Sequence, residues 1–260
     1  MTRLDAALIV RASVALSAIT AAAACTAAPS SSSSTETTAT TVTTTTSVPA
    51  AMSTPAMTTD TAWHALVDAT NSSSPWRAYK TDAFPASWHV ADGMLSKTGT
   101  AEDLISRDEF GDFELTWDWK LSPGGNAGIF YRANEEYDKV YWSGTEYQLL
   151  DDAKHADGKS RLTSAGAAYG LYPSPAGITK AGGEWNSSRI IARGPHIEHW
   201  MNGKKLLEYE AWSPEWTAKV KAAKFSAYPN YGLAKHGHIG IQGDHDGALS
   251  IRNMRVRGLR

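Results

Sequence analysis

The chain has 260 residues, with 25 Lys and Arg against 27 Asp and Glu, for a formal net charge of −2. That near-neutral balance, with no basic stripe, excludes the electrostatic footprint of a nucleic-acid-binding protein. Hydrophobic residues make up 42% and charged residues 20%, ordinary for a globular core. The 10 Trp imply either packed sheets or a platform for flat ligands such as sugars. A single cysteine, Cys25, rules out an intramolecular disulfide.

Residues 1–25, "MTRLDAALIVRASVALSAITAAAAC", set Arg3 and Arg11 around an apolar run that leads through small residues to Cys25. This is the shape of a bacterial export signal. A Cys directly after small residues resembles the lipobox, in which the thiol is acylated after cleavage, although Ala22 stands where that pattern usually has Leu. The expectation is an exported, cell-envelope lipoprotein, periplasmic or outer-surface, attached to a membrane through lipid on Cys25. A plain secretory signal and an uncleaved helix are the alternatives, and Arg11 interrupts the apolar run of the latter. Residues 26–60 are mostly Ser, Thr, Ala and Pro, with too little apolar surface to offset their ordering entropy, and are expected to be a disordered tether. Residues 61–260 are assigned to one folded domain.

Within that domain the hydrophobic period is two. "DLISR" (103–107) reads as a strand. In "FELTWDWKL" (113–121) Phe113, Leu115, Trp117, Trp119 and Leu121 alternate with Glu114, Thr116, Asp118 and Lys120, as in an antiparallel strand with one buried face. "NAGIFYR" (126–132), "EYQLLD" (146–151) and "SSRIIAR" (187–193) follow. "HIEHWMNGKKLLEY" (196–209) reads as a hairpin turning at Asn202-Gly203. Only "SPEWTAKVKAAKF" (213–225) has helical character, with Ser213 as cap and Pro214 at the first position. "GHIGIQ" (237–242) and "ALSIRNMRVR" (248–257) complete the strands. Many strands with almost no helix predict an all-β sandwich or barrel.

Several stretches, "WHVADGML", "FGDFELTWDWKLSPGGNAGIFYR", "EYQLLDD", "AAYGLYPSP", "GEWNSSRI", "HWMNGKKL", "GHIGIQ" and "RNMRVR", follow one another as in the 3-keto-disaccharide hydrolase family, which the chain resembles over about residues 63–259. The resemblance implies a concanavalin A-like jelly-roll β-sandwich, similar to laminarinase-type glucanases, and cleavage of glycosides whose sugar carries a ketone at C3. Two departures from the family pattern are an extra residue after Gln242 in "QGDHDG" and Ile251 where an aromatic usually stands.

If "EYQLLD" is a groove-facing strand, Tyr147 and Leu149 point to the core. Glu146 and Gln148 then face the groove, about 6.6 Å apart along the strand. The strand offers no second carboxylate of the right parity, which weighs against ordinary two-carboxylate chemistry. A 3-keto sugar instead requires a base for its C2 proton, an oxyanion stabiliser and a leaving-group acid. Glu146 or His155 is the candidate base. Arg132 is the candidate for holding the enolate, with a divalent metal cation as the alternative electrophile. Gln148, Asp151, Asp152, Asn126, Gln242 and His245 are candidate substrate contacts; Asp151 and Asp152 also fit an Asx turn at the strand end, and Arg132 a structural ion pair. His199, alternating with Ile197 and Met201, reads as a buried sheet residue. No dinucleotide fingerprint is present, so a separate oxidoreductase is expected to make the keto-glycoside substrate. Two other classes remain open: a non-catalytic carbohydrate-binding module and a conventional glucanase-like glycosidase.

Overall fold

The computed structural model describes residues 61–260; the segments expected to be an export signal ending at Cys25 and a tether lie outside the described residues. In chain order the strands are β1 (His64–Val67), β2 (Trp76–Ala78), β3 (His89–Ala91), β4 (Met94–Lys97), β5 (Leu104–Phe110), β6 (Phe113–Leu121), β7 (Asn126–Ala133), β8 (Thr145–Leu150), β9 (Asn186–Arg193), β10 (His196–Met201), β11 (Lys204–Glu210), β12 (Gly237–Ile241) and β13 (Leu249–Gly258). One short helix, α1 (Pro214–Ala222), joins β11 to β12. The strands form two antiparallel sheets. An eight-stranded sheet has the order β11-β10-β9-β6-β13-β4-β3, with β1 also on β13; a five-stranded sheet has the order β2-β5-β12-β7-β8. The fold is a jelly-roll β-sandwich.

The alternation in β6 supplies the central layer of the core. Phe113, Leu115, Trp117, Trp119 and Leu121 are buried, and Trp117 meets Tyr147 of the facing sheet edge-on at 5.0 Å. Trp76, Trp88, Trp117, Trp119 and Trp216 are all fully or almost fully buried, so these tryptophans are core, not a ligand platform. Ile251 is likewise buried between the sheets and shapes no ligand surface. The Asn202-Gly203 turn has φ of 48° and 78°, the left-handed pair a tight hairpin demands. Ser213 Oγ accepts from the Trp216 amide at 3.1 Å, and Pro214 begins α1.

The core also holds a polar network. His199 is fully buried, with Nδ1 2.9 Å from the Gly166 carbonyl and Nε2 3.0 Å from the Tyr131 hydroxyl. A carbonyl only accepts, so Nδ1 carries the proton and Nε2 accepts from Tyr131. The Tyr131 oxygen then accepts from the Tyr209 hydroxyl, 2.7 Å away. Burial holds His199 neutral, lowering its pKa to about 4.

Candidate active site

β8 runs along the edge of the five-stranded sheet. Its Tyr147 and Leu149 enter the core, while Glu146 and Gln148 face outward into a cavity of ≈ 200 Å³. The neighbouring β7 contributes Asn126, whose Oδ1 accepts from Gln148 Nε2 at 3.1 Å. Gln242, Asp244 and His245 enter from the loop after β12. Tyr141 and Asp157 come from the connections either side of β8, Tyr169 from the loop before β9, and Lys224 from the turn after α1. A shallower recess of ≈ 340 Å³, lined in part by His155, shares Asn126 and His245 with this cavity. His155 itself caps a 3-10 turn (156–159), its Nδ1 accepting from the Asp157 amide at 3.1 Å.

Glu146 is almost fully buried, and among the described residues no hydrogen bond or ion pair reaches its carboxylate. Burial pushes its pKa up to about 8; the Lys224 ammonium opposes the shift, and Asp244 and Asp103 add to it. Gly128 makes room for this side chain, because a β-carbon there would stand 2.8 Å from Glu146 Cδ. Three further acceptors, on residues that line this cavity, are buried with no hydrogen-bond partner among the described residues: Gln148 Oε1, Gln242 Oε1 and Asp244 Oδ1. Buried acceptors are normally satisfied, so three orphans around one cavity ask for a ligand rich in donors. Hydroxyl groups of a sugar meet that demand. Burial lowers the His245 pKa, with Asp244 opposing. Lys224 Nζ lies 4.5 Å from the Tyr169 ring centroid and makes no ion pair among the described residues.

Three residues expected here are engaged elsewhere. Arg132 takes φ 51°, at a register shift between β7 and β12. This bulge swings the side chain away from the cavity. Its guanidinium donates to the Gly111 and Gly194 carbonyls, both at 2.9 Å, and pairs with Asp112 at 3.3 Å. Burial leaves its charge spent on the sandwich rim. Asp151 Oδ2 accepts from the Gly124 amide at 2.8 Å and organises the 122–125 turn. Asp152 pairs with Arg161 at 3.2 Å and accepts from the Ala165 amide at 2.8 Å. Both act as loop-closing acids, the Asx-type role, instead of substrate contacts. Conversely, Tyr141, Asp157, Tyr169, Lys224 and Asp244 line the cavity although sequence reasoning did not select them.

A divalent cation would have to draw on Glu146, Asp157, Asp244 and His245, and their ligand atoms are not gathered as a coordination sphere requires. Among the described residues only His196, Glu198 and Glu208, on β10 and β11 of the other sheet, bring three such atoms within 4.8 Å of one another. The spread of the cavity's polar atoms suits a polyhydroxyl ligand better than a single ion.

Residues 62–257 match the family model described as the 3-keto-alpha-glucoside-1,2-lyase-like domain. A 3-keto-disaccharide hydrolase of Bacteroides thetaiotaomicron is 35% identical over 216 residues, 71% of this chain and 74% of that protein. An inferred glycosyl hydrolase of Parabacteroides distasonis has the same fold, with a TM-score of 0.69 at 28% identity over 76% of this chain and 94% of its own. A second from that organism gives a TM-score of 0.56 at 25% identity over 71% and 99%. With its fold and three-quarters of its length in agreement, the chain belongs to the 3-keto-alpha-glucoside-1,2-lyase-like domain family and is a glycoside-cleaving hydrolase.

Proposed function

We propose that the enzyme acts on 3-keto-glycosides and breaks the glycosidic bond by elimination followed by hydration. Glu146 carries this reading: a buried carboxyl that no hydrogen bond or ion pair reaches among the described residues, facing a cavity whose lining holds three unpaired acceptors. A ketone at C3 acidifies the C2 proton. Glu146 takes that proton, the C2 electrons form an enolate with C3, and the enolate reforms the ketone as the C1–O bond breaks. The departing oxygen receives a proton; the Glu146 carboxyl, which has just taken one, and the His245 imidazole on the cavity wall are the groups that can carry it there. Water then adds at C1 and a proton returns to C2. A carboxyl with a pKa of about 8 has the basicity this step needs near neutral pH. Lys224, not Arg132, is the cation available to the developing enolate oxygen. The orphan oxygens of Gln148, Gln242 and Asp244 receive sugar hydroxyls.

The test is to incubate the protein with a 3-keto-disaccharide and with its unoxidised parent, each with and without chelator. Cleavage of the keto-sugar alone, insensitive to chelator, is expected. Equal turnover of both sugars would support a two-carboxylate glycosidase, and binding without turnover a carbohydrate-binding module.

The same reading extends to cell biology. The substrate must come from a separate oxidoreductase that converts the C3 hydroxyl of a glycoside to a ketone. Acylation at Cys25 would hold the enzyme at the cell envelope with residues 26–60 as spacer. Cys25→Ser is then expected to move the protein from the membrane to the soluble fraction with activity unchanged; a wild type already soluble would overturn the anchor.

A further inference from the structure

β4 alternates as a half-buried strand, and its inward positions are Leu95 and Lys97. Lys97 sits opposite Leu249 of β13 in the ladder, with only 2% of its surface exposed. A buried ammonium is costly unless its charge and all its donors are met. Among the described residues Lys97 has no carboxylate partner in an ion pair. Its three donors go instead to three carbonyls: Gly99 at 3.0 Å, His245 at 2.7 Å and Gly247 at 3.0 Å. Two of these belong to the loop that follows β12 and carries Asp244 and His245 into the cavity. An apolar side chain of similar length would fill the core without the desolvation cost, so the ammonium answers a need of the loop.

The rest of the loop is pinned at its two ends. The Gln242 amide donates to the Gly128 carbonyl at 2.9 Å, the Gly243 amide to Asp103 Oδ1 at 2.8 Å, and the Ala248 amide to Ser122 Oγ at 3.2 Å. Between those ends, the bond from Lys97 to the His245 carbonyl is the one hydrogen bond that His245 makes among the described residues. We propose that Lys97 is a positioning residue: from the core of the sandwich it fixes the 244–247 segment and thereby sets His245 at the rim of the cavity. The catalytic consequence rests on the elimination reading above; the structural one does not.

The test compares Lys97→Met with Lys97→Arg in the full-length protein. Hydrogen exchange is followed in the 242–248 segment and, as a core reference, in β6. Turnover is followed on a 3-keto-disaccharide. In Lys97→Met the loop amides are expected to exchange at least about tenfold faster while β6 stays protected. Turnover number should fall by about 10- to 100-fold, the range a misplacement near 1 Å produces, with a smaller change in KM. Lys97→Arg, which keeps the charge, should recover most of both. Unchanged loop exchange, or loosening shared equally by β6, would overturn the positioning role, as would a turnover number within twofold of wild type once the loop has loosened. If Lys97→Met does not fold, Lys97→Gln carries the same test, with intermediate loosening expected and wild-type exchange and turnover overturning the proposal. If wild type leaves the keto-sugar intact, the elimination reading fails, and the exchange measurements still judge Lys97.

Discussion

Two of the buried polar clusters in this sandwich lie on opposite faces of the five-stranded sheet. Inside, His199, Tyr131 and Tyr209 close a chain of hydrogen bonds that ends on the Gly166 carbonyl. Outside, Glu146, Gln148, Gln242 and Asp244 line a cavity, with the Glu146 carboxyl and three further acceptors unpaired among the described residues. β8 serves both: Tyr147 packs against the His199 ring at 4.6 Å, while Glu146 and Gln148 face the cavity. Burial alone therefore does not mark function. The saturated cluster stabilises a fold, whereas the cluster with open valences is built for something that arrives from outside.

Substitutions that separate the two clusters should give opposite phenotypes. The largest effect is expected from Glu146→Gln, nearly isosteric but unable to take a proton. Turnover of a 3-keto-glycoside should fall by about 10²–10⁴-fold, with the fold intact by circular dichroism. Next is His199→Ala, which strands the Gly166 carbonyl and the Tyr131 hydroxyl and opens a hole in the core. Denaturant unfolding should show a loss of about 3 kcal/mol or more. The protein that remains folded should keep most of its activity, because His199 does not reach the cavity.

The pH dependence of stability sharpens the contrast further, since the two groups are shifted in opposite directions by the same cause, burial. His199 has an ordinary pKa of 6.5 and a folded value of about 4. Between those values the unfolded chain binds the proton first, so stability is present above pH 6.5 and is lost as pH falls toward about 4. Glu146 goes from 4.5 to about 8 on folding. Its contribution is present below pH 4.5 and is lost as pH rises toward about 8. Each window should span a few kcal/mol. In thermal melts across pH, Glu146→Gln should remove the decline between pH 4.5 and about 8 and, where the two windows overlap below pH 6.5, leave the rise due to His199 steeper than in wild type. An unaltered pH profile in the mutant would mean that Glu146 is not the raised group.

How far these features are legible in the sequence depends on whether local pattern decides them. Period two placed Tyr147 and Leu149 in the core and Glu146 and Gln148 opposite, because one strand's pleat settles parity. Asn202-Gly203 and Ser213-Pro214 act within a few residues, and the turn and the helix start form where those residues stand. Arg132 shows the limit: counting by twos from Asn126 sets it on the cavity side, and one bulge in β7 reverses that. Asp151 and Asp152 follow the strand directly, yet their partners, the amides of Gly124 and Ala165, are set by loops that no period describes. Lys224, Tyr169 and Asp157 reach the cavity from three separate connections, and only the folded topology brings them together. Lys97 is the extreme case, a charged residue at an inward strand position that reads as a break in the pattern and proves to be the anchor of a distant loop.

In elimination the C2 proton leaves before the glycosidic bond breaks, and its fate can be followed. A 3-keto-glycoside carrying deuterium at C2 is incubated with the enzyme, and the sugar product is examined by mass spectrometry at short times against an enzyme-free control. Elimination and hydration predict that the cleaved sugar has lost the C2 deuterium, and that Glu146→Gln slows this loss and the cleavage together. A cleaved sugar that still carries its C2 deuterium, formed at the same rate as from the undeuterated substrate, would contradict elimination.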